Sequence, residues 1–307
     1  MIQILEITSS RLYHVEVMKT EPLTSILAAA SESSTAQAIL ITVFGDALYP
    51  RRQPTSVVDL ALLVAPLGVN ERAVRTALLR LSRENVVASK REGRHSLYSV
   101  APESVETFRR AEARIYGDAS PDWNGEWTVA IIDPSSEASD RARFQRELRW
   151  MGMATLQTGV LVSPTIDTDT VFSLAQMHRV TLTALFRSSL ASGQLAGDPQ
   201  LAAFTDPSGQ LHELHEAHIA KWAQVKAVQI APETTFAYRT TLIDDWRRIA
   251  LRTVDAPREL LPDTWLGDSA RSVTHDLYDD LFAMSEEYLD VHLGPASSKR
   301  RSFSPVP

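Results

Sequence analysis

Arg72 and Arg75 stand three residues apart, Thr76 follows the second, and Arg80 comes about one helical turn later. Between them Val74, Ala77, Leu78 and Leu81 recur at the spacing of one helix face. If the stretch is a helix, the apolar set turns inward and the arginines share the opposite side. Arginine's planar fork matches O6 and N7 of guanine in the major groove, so Arg72 and Arg75 are placed to read one groove. Thr76 suits a base or a phosphate, and Arg80 a phosphate or an intramolecular salt bridge. Downstream, Lys90, Arg91, Arg94 and His95 surround Gly93, the composition of a turn whose tip reaches phosphates or the minor groove. Arg51 and Arg52, inside the proline-bounded run Pro50–Pro54, are candidates for a further backbone anchor. Taken one by one, these are ordinary solvated charges. Taken as a set in this order, they fit duplex DNA.

Two other clusters suggest catalysis and do not support it. Asp133 follows an apolar strand-like run, where a carboxylate can hold a metal in a nuclease, but Asp133-Pro134 also has the makings of a strand-ending turn. No second carboxylate or histidine adjoins it. His212, His215 and His218 share a helical stretch with Glu213 and Glu216, yet the spacing is not the four-residue separation of a zincin. A polar face on a surface helix is the simpler reading. No glycine-rich phosphate loop and no Gly-x-Ser-x-Gly elbow occur. Neither an enzyme nor a resident cofactor or metal is expected.

The elements that must hold the arginines follow from periodicity. A helix from Ser34 carries Ile39, Ile41 and Phe44 and is expected to stop at Gly45-Asp46. A second starts at Thr55 or Ser56 and closes at Pro66-Leu67-Gly68. Asn70 caps the third, from Glu71 to about Asn85, which carries the arginines. Val86–Arg91 and His95–Val100 then read as two strands around Glu92-Gly93-Arg94. Helix, helix, short turn, helix and hairpin outline a winged helix-turn-helix. A connecting helix spans 102–117. Strand (127–132), helix (138–151), strands (155–162, broken at Gly159), helix (169–178) and strand (179–186) suggest a ferredoxin-like domain. Three helices close the pattern, at about 210–228, 232–254 and 268–293.

Composition sets the bounds. The 307 residues suit two or three domains, and 44% hydrophobic with 22% charged residues is ordinary for a soluble globular protein. Cysteine is absent, which removes disulfides, thiolate metal sites and cysteine nucleophiles and accords with a reducing cytoplasm. No apolar run spans a bilayer and no secretory leader is evident, so a cytoplasmic protein without membrane contact is expected. The net charge of −7 hides an asymmetry. Residues 50–117 hold 12 Lys and Arg against 7 Asp and Glu, whereas residues 118–293 hold 14 against 26. One segment is built to meet an anion and the other is not.

At this point the residues become recognisable. Phe44-Gly45-Asp46-Ala47-Leu48-Tyr49-Pro50-Arg51, the run Leu67 to Leu81, and Arg91-Glu92-Gly93-Arg94 with Tyr98 resemble the PaaX family, repressors of aromatic-acid catabolism that respond to phenylacetyl-coenzyme A. Further matches are Trp127, Arg146-Glu147-Leu148-Arg149 leading to Met151-Gly152, Gly159–Pro164, and Leu260–Gly267 with Ala270. The resemblance spans about 34–290. It departs at Thr253-Val254-Asp255-Ala256-Pro257, where the family usually has an Asp-Pro-x-Leu-Pro-like run. It implies a homodimer on a double-stranded operator, released by an aryl-acyl-CoA. Arg239, Arg247, Arg248 and Arg252 are unranked candidates for the effector's phosphates, against a solvated helix face.

The expected fold is α+β. It comprises an extension (1–33, with Met18 a candidate start), a winged helix-turn-helix (34–101), a connecting helix (102–120) and a ferredoxin-like middle domain (121–192). A helical dimerisation and effector domain (193–293) and a Ser/Pro/basic tail (294–307) complete it. Two competing readings remain: a metal-dependent nuclease built on the middle domain, and a winged-helix scaffold for protein contacts.

Overall fold

The structure, a computed structural model, describes residues 35–93, 95–117, 123–189, 210–226, 231–253, 256–257, 261 and 264–295. The expected extension, Arg94, the end of the connecting segment, the start of the helical domain at 193, and residues 296–307 lie outside the described residues.

Helix α1 (Ala36–Val43) begins where Thr35 Oγ1 accepts the Ala38 amide at 3.2 Å. It does not stop at Gly45-Asp46. The chain continues through a π turn, Phe44–Leu48, into a short α2 (Tyr49–Arg51), and breaks only at Arg52, whose φ of 53° is left-handed. Part of the expected Pro50–Pro54 loop is therefore helical. The reason is Asp46. Its carboxylate is turned inward, where three side chains satisfy it, and the wide turn lets the helix carry it there.

Strand β1 (Thr55–Ser56) leads into α3 (Val57–Val64), capped by Ser56, whose Oγ accepts the Asp59 amide. Gly68, at φ 75°, reverses the chain as a left-handed C-cap, and Asn70 Oδ1 accepts the Ala73 amide at 2.9 Å to start α4 (Glu71–Arg83). Strands β2 (Val87–Glu92) and β3 (His95–Val100) form an antiparallel hairpin with Glu92 opposite His95, and β1 adds to its other edge. Gly93, φ 59°, opens the two-residue turn, a conformation that glycine adopts without a Cβ penalty.

After a 3-10 turn (Pro102–Ser104), α5 (Val105–Tyr116) crosses to the middle domain. There β4 (Glu126–Ile132), α6 (Ala138–Trp150), β5 (Ala154–Gln157), β6 (Val160–Ser163), α7 (Thr168–Met177) and β7 (Leu182–Ser189) form an antiparallel sheet ordered β5-β6-β4-β7. The pairings and element order are ferredoxin-like. Phe144 and Leu148 of α6 and Val171 and Leu174 of α7 pack on Ala130, Ile132 and Leu161 of the sheet.

The last three helices are α8 (Gln210–Trp222), α9 (Pro232–Ala250) and α10 (Gly267–Leu293). Two end earlier than periodicity suggests, α8 at Trp222 and α9 at Ala250; positions 228 and 254 lie outside the described residues. Two of these helices, α9 and α10, pack against the winged unit. Phe236 and Ala237 of α9 and Leu289 of α10 belong to the same buried cluster as Leu40, Phe44, Leu63, Leu78 and Leu81. The core of the winged unit is thus completed from the far end of the chain. No described helix is long and apolar enough to cross a membrane.

Candidate nucleic-acid interface

Burial of Val74, Ala77, Leu78 and Leu81 fixes the rotation of α4, and Arg72, Arg75, Thr76 and Arg80 are left exposed. Leu79 lies among them at 54% exposure. Periodicity already puts Leu79 on the outward face, but the sequence reading gave it no DNA contact because only the polar and charged side chains of that face were weighed. Its position between the arginines and its exposure would have suggested a contact for a thymine methyl group. Arg75 Nε donates to Glu71 Oε1 at 3.0 Å, and the Arg75 Nη2 also bonds that oxygen. Such an exposed i,i+4 pair is worth only about 0.3–0.5 kcal/mol, so it parks the guanidinium without committing it. Thr76 Oγ1 donates to the Arg72 carbonyl at 2.9 Å. The Arg72 side chain makes no bond among the described residues. An open groove runs between the N-terminus of α1 and α4, walled by Thr35, Gln37, Asn70, Arg72, Thr76 and Arg80.

In the hairpin Lys90, Arg91 and His95 are exposed; Lys90 Nζ is 3.9 Å from Glu92, and Arg91 Nε donates to the Gly93 carbonyl. Arg94 lies outside the described residues. Arg52 is exposed just past α2. Arg51 is a correction. Its side chain is buried, bonded to Glu286 at 2.6 Å, Asp290 at 2.8 Å and the Gly294 carbonyl at 3.1 Å. It ties α2 to α10 and cannot reach a phosphate.

Arg239 is a second correction. Far from a solvated helix face, it is buried, donating to Asp46 at 2.8 Å and to Glu286 at 2.5 Å. Asp46 also accepts from the hydroxyls of Tyr116 (2.6 Å) and Tyr278 (2.9 Å). Although burial opposes its charge, the carboxylates of Asp46 and Glu286 hold the Arg239 guanidinium firmly protonated. A second cluster lies one turn along: Asp244 accepts from Thr42 at 2.9 Å, from Arg247 at 2.7 Å and from Arg248 at 2.6 Å. Arg247 also donates to Thr42 Oγ1 and to the Ala38 carbonyl of α1. Arg252 is exposed. Together the two clusters bind α1 and its π turn to α9 and α10.

The histidine stretch also differs from expectation. His215 and His218 are buried, because α8 turns them toward α9 and α10 rather than to solvent. His215 meets Trp265 edge-on with centroids 4.9 Å apart, and His218 Nε2 lies 2.8 Å from Thr274 Oγ1. Thr274 gives its own proton to the Ala270 carbonyl, so His218 Nε2 is the donor to its hydroxyl. Burial, with His215 and Lys221 nearby, depresses its pKa to about 3. No group of metal-ligating side chains occurs among the described residues. Asp133, meanwhile, accepts the Ser135 amide at 2.8 Å at the end of β4, and hydrogen bonding from the Ser135 side chain and then its amide lowers the carboxyl pKa; it closes a turn.

A winged helix-turn-helix sharing one core with C-terminal helices, with a ferredoxin-like domain between them in sequence, defines the class of this protein. Residues 35–104 match the PaaX-like protein family, residues 120–201 the PaaX protein central Cas2-like domain, and residues 206–291 the PaaX-like protein C-terminal domain. The chain belongs to the PaaX-like family. It is 29% identical over 252 residues to the transcriptional repressor PaaX of Escherichia coli strain K12, covering 78% of each chain. Its fold is also similar to that of an uncharacterized protein from Mycobacterium tuberculosis, with a TM-score of 0.52 and 20% identity over 81% of this chain and 97% of the other.

Proposed function

We propose that the chain is a DNA-binding transcriptional repressor of phenylacetate-type aromatic catabolism, acting as a homodimer on its operator and released by an aryl-acyl-CoA. The observation that carries the DNA reading is the outward face of α4, where Arg72, Arg75, Thr76, Leu79 and Arg80 project beside a wing bearing Lys90, Arg91 and His95. A helix of this kind enters the major groove, where arginines read guanine and an apolar side chain meets thymine methyl. The wing supplies phosphate contacts that position the helix without reading sequence. The Escherichia coli relative supports repression as the outcome. The family resemblance supports the aromatic pathway and the effector. Two-fold operators set their half-sites about one helical turn apart or a multiple of it, which favours a dimer.

Asp133 accepts the Ser135 amide where β4 ends, which supports a strand-ending turn over a nuclease site. The test is a mobility shift on the intergenic DNA beside the gene, with and without Mg²⁺. Retarded, intact DNA is expected under both conditions. Shortened DNA with Mg²⁺ would establish the nuclease instead, and absence of any shift would favour the protein scaffold.

A further inference from the structure

A cavity of about 60 Å³ lies where α1, its π turn, α5 and α9 meet. Ile41, Phe108, Ile115, Ile243 and Leu251 make its walls mainly apolar. Its polar lining residues are Glu112 of α5, Thr42 and Arg247 of the Asp244 cluster, and Asp46 and Tyr116 of the Arg239 cluster. Both sets of bonds that hold the winged unit on the C-terminal helices therefore border one small apolar space. Enlarging that space displaces α1, α5 and α9 relative to one another.

We propose that this cavity is the wedge site for the apolar acyl group of the effector, with the ligand's anionic tail held along the end of α9. The inference rests on the repressor reading above and names the site through which release is exerted. A dry cavity that admits a benzene ring measures about 150 Å³, so a ring-sized acyl group enters this one only by parting its walls. Parting them strains the Thr42–Asp244 and Arg247–Ala38 bonds and tilts α1, against which α4 packs through their shared core. DNA selects the closed arrangement and the ligand the open one, and release is limited by the ligand's preference between them.

The same geometry ranks the arginines that sequence left unranked. Arg239 is consumed inside the Asp46 cluster. Arg247 forms part of the wall, and Arg252 is exposed next to the wall residue Leu251. Arg247 and Arg252 thus offer positive charge to a phosphate-bearing tail leaving the cavity, with Arg248 beside them.

The test uses the full chain on its retarded DNA fragment, titrated with phenylacetyl-CoA and, separately, with coenzyme A. Ala111 also lines the cavity. Ala111→Leu fills it and is expected to keep DNA binding while requiring about tenfold more phenylacetyl-CoA for release, as a tenfold loss in differential affinity dictates. Ile243→Ala enlarges the cavity and is expected to lower that concentration. Should Ala111→Leu fail to fold by circular dichroism, Ile243→Ala decides alone. Folded variants released at the wild-type concentration overturn the site, as does release by coenzyme A without the acyl group. A wild-type complex that resists phenylacetyl-CoA also overturns it while leaving the DNA reading intact. Loss of retardation without any ligand sinks that reading itself.

Discussion

Arginines of similar sequence context have opposite fates here, and burial separates them. Arg75 rests on a weak surface pair with Glu71 and can exchange it for a base. Arg75→Ala should cost about 1–3 kcal/mol on operator DNA and relax preference at one base position, measured by mobility shift against single-base operator variants. Lys90→Ala should weaken operator and random DNA alike and reduce the salt slope by about one, the effect expected of a wing residue that meets phosphate rather than bases. Arg51→Ala should behave differently. Removing it takes one arginine from the half-buried Glu286, which keeps Arg239, and from the exposed Asp290, a loss of about 1–3 kcal/mol read in a urea melt. His218 adds a pH dependence. Its folded pKa of about 3 lies below its ordinary value near 6.5, so the unfolded chain binds the proton first. The stability tied to neutral His218 is complete above about 6.5 and is lost as the pH falls from there toward 3. Urea midpoints should fall across that window, and His218→Gln should flatten the fall; an equal slope in both proteins would remove His218 as the cause.

At the scale of elements, local chemistry set where α1, α3 and α4 begin, and long-range contacts set where the first helix ends. Thr35, Ser56 and Asn70 each cap a helix as their types dictate. The glycine expected to end the first helix instead packs toward Phe108, and the aspartate after it is bonded by residues 70, 193 and 232 positions away. No local rule foresees such a turn. The start of α10 follows a different constraint. A Cβ on Gly267 would stand 2.4 Å from the Trp265 indole, which itself packs edge-on against His215. Gly267→Ala should therefore displace Trp265 and cost about 1–3 kcal/mol by overpacking, with a shifted tryptophan emission maximum. An unchanged spectrum and melting temperature would show that the indole yields freely.

For the whole molecule, chain order and spatial order differ. The middle domain separates two segments that share one core, since Phe236, Ala237 and Leu289 pack among residues of the winged unit. Residues 35–104 expressed alone should lack a cooperative melt and expose apolar surface to a dye. Adding residues 206–295 in trans should restore the transition. A folded, DNA-binding fragment 35–104 would show instead that α9 and α10 are dispensable to that core.

The sequence by itself determined the winged unit, the order of the ferredoxin-like strands and the outward face of α4. Each is written in local signals: caps, a 3.6-residue period, a glycine turn and alternating apolar strands. The same period placed Arg72, Arg75, Thr76 and Arg80 outside, because Val74, Ala77, Leu78 and Leu81 had to go in. Only the tertiary structure decided which charges are solvated. Arg51 and Arg239 read as surface arginines, and His215 and His218 as a polar helix face, until Glu286, Asp46, Trp265 and Thr274 arrive from distant positions to receive them. Burying a charge is tolerated only where such partners meet it, and their arrival depends on packing between helices that sequence spacing does not encode.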